Sequence, residues 1–257
     1  MNSLLPQLLL FLAGCPRVFG LVAFAPGLDA AFVPPLVRVA LASGLAFALA
    51  PLITPPKAEL LTLTPQGYLA LLVSELVLGA IIGFALSCLL EAARLGGEIV
   101  DLQIGFRAGA LYDPLGSVTS SILGRFWYLI AVLYFFQVNG HHWLMGGLFR
   151  SFQLCPVGAL VYHQQLVPLA CNLVAALFTL ALQLAAPVAA ALILADLTLG
   201  LVGRGMPQMN ILLVGLPAKI LAGLVAMTFC SPTLVTALNE MLGMFREYLL
   251  QILRAVS

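Results

Sequence analysis

The sequence predicts an all-α, membrane-type protein built of kinked helical hairpins, with about six hydrophobic segments followed by a C-terminal amphipathic helix. Three observations carry that prediction. Hydrophobic residues make up 62% of the chain, charged residues only 8%, and the mean hydropathy is +1.11, whereas a soluble domain carries roughly 25% charge. Long apolar runs are punctuated by Pro and Gly clusters rather than by charged loops. The last stretch alone mixes charges with apolar residues at helical spacing. Since a crossing helix needs about 20 apolar residues, 257 residues suit one domain spanning residues 1–257. A formal net charge of +1 excludes a strong nucleic-acid footprint. The five cysteines are scattered with no CxxC pair, which speaks against a disulfide framework or a zinc site.

The first segment, Leu4 to Ala25, contains Pro6, Pro16 and Arg17. Proline removes a backbone donor and kinks a helix, so this segment is not expected to be a straight lipid-facing rod. Leu12-Ala13-Gly14-Cys15 has the form of a lipoprotein cleavage box, but no positive n-region precedes it and the apolar run continues past Cys15; an uncleaved first helix is expected. Pro26-Gly27 and Pro34-Pro35 mark a turn before the second segment, Leu36 to Ile53, in which Arg38 sits where a long side chain snorkels. The third segment, Tyr68 to Leu90, places Glu75, Gly79 and Gly83 on one helical face. Small residues four apart let another helix approach closely. Glu75 must face protein or water, as one half of a structural pair or as part of a proton path.

Ile122 to Val138 forms the fourth segment and runs into Asn139-Gly140-His141-His142. Adjacent histidines point about 100° apart on a helix, a poor geometry for sharing a metal, so they are read as interfacial or loop residues beside the aromatic anchor Trp143. Cys155-Pro156-Val157-Gly158 then turns the chain. Leu166 to Leu201 is too long for one untilted crossing, and Pro187 divides it: either one kinked helix or a hairpin. A polar hinge follows at residues 203–210, carrying Arg204, Pro207, Gln208 and Asn210. Ile211 to Phe229 is the sixth segment, with Pro217 and Lys219 inside it. From Pro232 onward Glu240, Arg246, Glu247 and Arg254 interleave with apolar residues, giving an amphipathic helix suited to a surface or a partner. Loop cations do not orient the chain: Lys57, Arg150, Arg246 and Arg254 on one side balance Arg94, Arg107, Arg125 and Arg204 on the other.

The stretch from Gly97 to Arg125 stands apart. Seven charged residues lie between Glu91 and Arg125, and a Gly-rich polar segment with Asp-Pro satisfies its backbone only in water, in protein, or along a wet cavity. Phe106, Leu111 and Tyr112 supply bulk, while Arg107, Ala108, Gly109 and Ala110 are small or charged, and Asp113-Pro114 restricts the exit. From these residues alone two readings stay open, a plug sealing a channel and a surface loop at the membrane interface. No phosphate loop, GxSxG elbow, dinucleotide fingerprint or paired catalytic carboxylates occur, so no enzyme activity, catalytic residue, cofactor or metal is expected. What remains are charges inside apolar segments, Glu75, Asp196 and Lys219. They are expected to be structural buried charges, with Asp196 and Lys219 paired. The alternative function is a proton- or ion-coupled membrane transporter built on the same three. A third class is a membrane scaffold with no passage.

Several motifs match a known family in order. They are Pro35 and Arg38; Glu75, Gly79 and Gly83; Gly97, Asp101, Gln103 and Gly105 leading to Asp113-Pro114; Asn139-Gly140-His141; and Pro187-Val188, Gly200, Arg204, Pro207-Gln208-Met209-Asn210, Pro217, Lys219 and Gly223. The chain thereby resembles the FliR/SctT proteins of the type III export apparatus, found in flagella and virulence injectisomes. The resemblance implies a pore-forming subunit of the protein export gate in the bacterial inner membrane, within a flagellar basal body or injectisome base. It implies FliP/SctP-like and FliQ/SctS-like gate subunits, FlhB/SctU-like and FlhA/SctV-like export proteins, and unfolded protein substrates as partners. It also implies kinked hairpins packed round a pore and a plug at Phe106 to Tyr112, closed off by Asp113-Pro114. Residues 107–110 are smaller and more charged than the aromatic-rich loops of flagellar members. Phe106, Leu111 and Tyr112, or the partner subunits, must then do most of the sealing. Gly215-Leu216-Pro217-Ala218-Lys219 looks closer to flagellar relatives.

Overall fold

The computed structural model describes residues 4–25, 33–50, 64–105, 121–157, 166–206 and 211–256. Among these residues the chain is all-α, with no strand. Its helices are α1 (Leu4–Phe24), α2 (Pro35–Leu49), α3 (Pro65–Ile104), α4 (Ile122–Gln137), α5 (Gly140–Leu154), α6 (Leu166–Gly205), α7 (Ile211–Phe229) and α8 (Ser231–Val256). α3 and α6 are each 40 residues long and apolar enough to cross a membrane. α4 with α5, and α7 with α8, form bent pairs that could each count as one span. The expected six segments are thus redistributed: two long helices, two bent pairs, and the shorter apolar α1 and α2.

One boundary departs from the sequence prediction, and two readings that the sequence leaves open are narrowed. The third segment does not end at Leu90 but runs to Ile104, so Gly97–Ile104, the first part of the polar stretch, is helical. The reason is visible in the buried face: Ala93, Gly97, Val100 and Ile104 recur at helical spacing and keep a dry stripe through the polar sequence. Pro187 lies within α6 without dividing it, which selects the single helix over the hairpin. Asn139 is not followed by a loop. It adopts φ 58 and ψ 32 between α4 and α5, and His141 and His142 fall in the first turn of α5 with ring centroids 4.4 Å apart.

The chain forms two compact units. The first comprises Met1–Cys88, Phe135–Val174 and Gly243–Ser257. Its core joins Leu21 of α1, Ile82 and Leu86 of α3, Leu148 and Phe152 of α5, and Phe245 and Ile252 of α8, all buried. α2 packs on α1 through the small residues Ala42 and Ala46, leaving Leu36 and Phe47 outward. Gly79 and Gly83 realise the close helix approach expected of them. A Cβ on Gly79 would overlap the Arg17 carbonyl oxygen, and one on Gly83 would stand 2.6 Å from the Leu21 carbonyl oxygen. Glycine is therefore required where α1 crosses α3.

The second unit comprises Leu89–Tyr134 and Ala175–Leu242. Ala92, Val100 and Ile104 of α3, Trp127 of α4, and Ala181, Leu184, Val188 and Leu192 of α6 build its core. A Cβ on Gly96 would lie 3.1 Å from the Ala181 carbonyl oxygen, so α3 and α6 run nearly backbone to backbone. Along α8 the apolar face, including Leu238, Met241, Phe245, Leu249 and Ile252, is spent on the chain's own interior, while Asn239, Glu240, Arg246 and Glu247 face outward. Elsewhere the outward faces of α3, α6 and α7 are predominantly apolar, the arrangement of a protein whose surroundings are lipid or other apolar helices.

Candidate functional site

The expected plug residues Phe106, Arg107, Ala108, Gly109, Ala110, Leu111, Tyr112, Asp113 and Pro114 lie outside the described residues, as do Pro207, Gln208 and Asn210 of the hinge. The structure does describe both roots of the segment 106–120. At its start, the Gly105 N–H donates to the Asp101 carbonyl at 3.1 Å, and Gly105 closes α3 at φ +92. That backbone conformation strains any residue with a Cβ. Ile104, fully buried, reaches α7, where a Cβ on Gly223 would stand 2.6 Å from its Cδ1. Leu216 of α7 flanks Gly105 itself. At the other root, buried Ser121 accepts a hydrogen bond on Oγ from the Gly124 N–H at 2.8 Å, capping α4.

These two roots are drawn together. A Cβ on Gly97 would stand 2.6 Å from the Leu123 carbonyl oxygen, and one on Gly124 would stand 2.7 Å from Glu98 Cγ and 2.9 Å from the Arg94 carbonyl oxygen. α3 and α4 thus meet at a glycine-on-glycine crossing one to two turns from where the segment leaves and returns. Arg94 pairs with Glu91 at 3.4 Å and Glu98 at 3.3 Å on the exposed side of α3. Asp101, 1% exposed, keeps one carboxylate oxygen without a hydrogen-bond partner among the described residues. Burying a carboxylate oxygen without a donor is costly, and this one sits a single turn before Gly105.

Sequence reasoning singled out Glu75 but not its partner. Arg17 Nε donates to Glu75 Oε2 at 2.6 Å, with side chains 0% and 1% exposed. The guanidinium also donates through Nη1 to Ser151 Oγ at 3.3 Å, and through Nη1 and Nη2 to the Cys155 carbonyl at 3.1 Å. Its Cζ lies 4.4 Å from the centre of the Phe152 ring. One cation thereby ties α1 to α3 and to the end of α5, with every guanidinium nitrogen engaged. Such a charge is tolerable only because it is paired and fully hydrogen-bonded.

Asp196 and Lys219 are brought together as expected: Lys219 Nζ lies 2.8 Å from both carboxylate oxygens. Their expected burial is corrected. The Asp196 side chain is 43% exposed and that of Lys219 20%, because the outward faces of α6 and α7 carry the pair. Arg204 lies in the last turn of α6, where a cation favours the helix dipole.

The sequence matches the model of the family described as bacterial export proteins, family 1, over residues 8–245. It is 28% identical to the flagellar biosynthetic protein FliR of Bacillus subtilis (strain 168), covering 100% of this chain and 99% of that protein. It is 29% identical to the FliR of Escherichia coli (strain K12), covering 91% of this chain and 85% of that one. The surface presentation of antigens protein SpaR of Shigella sonnei is 28% identical over 85% of this chain and 83% of its own length.

Proposed function

Because the chain belongs to bacterial export proteins, family 1, the FliR/SctT family of type III export, we propose that it is the pore-forming subunit of an export gate. In this reading unfolded flagellar or virulence proteins pass it on their way across the bacterial inner membrane. The whole chain acts as one gate domain, and residues 106–112 form the plug. The observation that carries the reading is the way the segment 106–120 is rooted. Gly105 and Ile104 lock its start against α7, and Ser121 with the Gly97–Gly124 crossing locks its return. A movable obstruction in a passage needs fixed anchors, and these residues supply them on rigid helices.

The subunit does no chemistry of its own here; it works by assembling with FliP/SctP-like and FliQ/SctS-like subunits, next to FlhB/SctU-like and FlhA/SctV-like proteins. The transporter alternative requires Glu75 to be free to exchange a proton, yet its carboxylate is committed to Arg17 in a dry site. Purification from its own cells in a gentle detergent tests the proposal. FliP-like and FliQ-like subunits are expected to co-purify, and a solitary monomer would defeat it.

A further inference from the structure

We propose that the cavity at the elbow between α7 and α8 takes one acyl chain of a membrane phospholipid. The inference goes beyond the export-gate reading and does not depend on it; it requires only that the chain lie in a membrane. The cavity has a volume of about 380 Å³ and is lined by residues of α4, α6, α7 and the start of α8. It lies where the chain bends by 58° between Phe229 and Ser231. Its inner wall is Trp127, Leu184 and Val188, all buried. Phe126 of α4 and Leu224 of α7, 52% and 46% exposed, form the rim, so the open side lies between those two helices.

No charged side chain lines the cavity, so nothing in its wall recognises a phosphate, carboxylate or ammonium group. Its two hydroxyls are already committed: Thr228 Oγ1 donates to the Val225 carbonyl at 2.7 Å, and Ser231 Oγ to the Thr228 carbonyl at 2.9 Å. Water inside would lack the two to four polar partners that hold a buried water in place. The electrostatic complement of such a wall is neutral hydrocarbon. Size narrows the class further. Small-ligand sites run from about 300 to 1,000 Å³, and since an apolar cavity of about 150 Å³ takes benzene, this one has room for roughly a dozen carbon atoms. A helix about 10 Å across does not enter it, and a single side chain from a neighbouring helix leaves part of it unfilled. A lipid tail also has a dry route to the rim, because Leu221, Val225 and Phe229 on the outward face of α7 are all more than half exposed.

The test uses full-length chain reconstituted in vesicles of phosphatidylethanolamine and phosphatidylglycerol. The vesicles carry a trace of phospholipid with a photoreactive group, placed either near the end of one acyl chain or on the headgroup. The tail-borne group is expected to label Trp127, Leu184 or Met227, and the headgroup-borne one to leave them unlabelled. No tail label at these residues, or equal label from both probes, would overturn the inference. Two variants supply a second measurement. Leu224→Trp crowds the rim and Val188→Phe fills the inner wall, so each should lower cavity labelling roughly fivefold or more, the effect of overfilling the space. Labelling of Phe229, which is 81% exposed and reports general lipid contact, should stay unchanged. Leu224 is already half exposed, so its replacement leaves the fold intact whatever Val188→Phe does. Undiminished cavity labelling in the folded Leu224→Trp chain would overturn the inference. So would a photoreactive residue in place of Leu224 that captures a second copy of the chain and no lipid. The readout is lipid bound to this chain alone, so its failure leaves the export-gate reading standing.

Discussion

Replacing Glu75 by leucine keeps an apolar side chain of similar bulk but leaves Arg17 without its counter-charge. Arg17 is wholly buried, so water does not take over the role of Glu75. The Ser151 hydroxyl, the Cys155 carbonyl and the Phe152 ring remain, yet none carries a negative charge. Breaking a buried pair by removing one partner costs about 3–5 kcal/mol. For a chain of this size that corresponds to roughly 6–20 °C in thermal midpoint. The assay is thermal unfolding in mild detergent, followed by helix signal. The decisive companion is the double variant Arg17→Met with Glu75→Leu, which removes both charges. Hydrophobic replacement of a buried pair is often neutral or stabilising, so the double variant should unfold within about 1 kcal/mol of wild type or above it. A Glu75→Leu single variant as stable as wild type would refute the clamp. So would a double variant no better than the single.

Further outcomes concern the roots of the segment 106–120. Gly97→Val should destabilise by about 1–3 kcal/mol, because the new side chain meets the Leu123 backbone rather than a flexible tip; the same melting measurement checks it. Gly105→Val should cost about 1–2 kcal/mol from the left-handed backbone alone, with the loss localised as faster amide exchange at the end of α3. Asp101→Asn should stabilise the fold by about 1 kcal/mol, read as a higher thermal midpoint, because it removes a buried carboxylate one of whose oxygens has no hydrogen-bond partner among the described residues. A fall of similar size would mean that this oxygen accepts a bond that the asparagine amide does not replace.

Much of the architecture could be read from hydropathy because apolar run length and helix length are coupled by the bilayer. Ile211 and Phe229 were placed at the ends of α7, and α4 ended within one residue of the expected boundary. The errors arose where composition and periodicity disagree. Polarity suggested that α3 stops near Leu90, whereas the spacing of Ala93, Gly97, Val100 and Ile104 preserves a buried face as far as Gly105. The site was legible to a different degree. Asp196 and Lys219 lie on neighbouring segments, so their pairing was foreseeable; their exposure depends on which faces of α6 and α7 turn outward, which charge content does not encode. The Arg17–Glu75 pair spans 58 positions. Its signal was present, since each is a lone charge within an apolar segment and Glu75 shares a face with Gly79 and Gly83. But only the crossing of α1 over that face makes them neighbours.

The central claim, that residues 106–112 obstruct a passage through an assembled gate, is tested most directly by conductance. Deleting that stretch from the chain, assembling the complex and inserting it in a planar bilayer should give a persistent leak of ions and small solutes that the wild-type complex lacks. An assembled complex that carries the deletion and stays as tight as wild type would contradict the account.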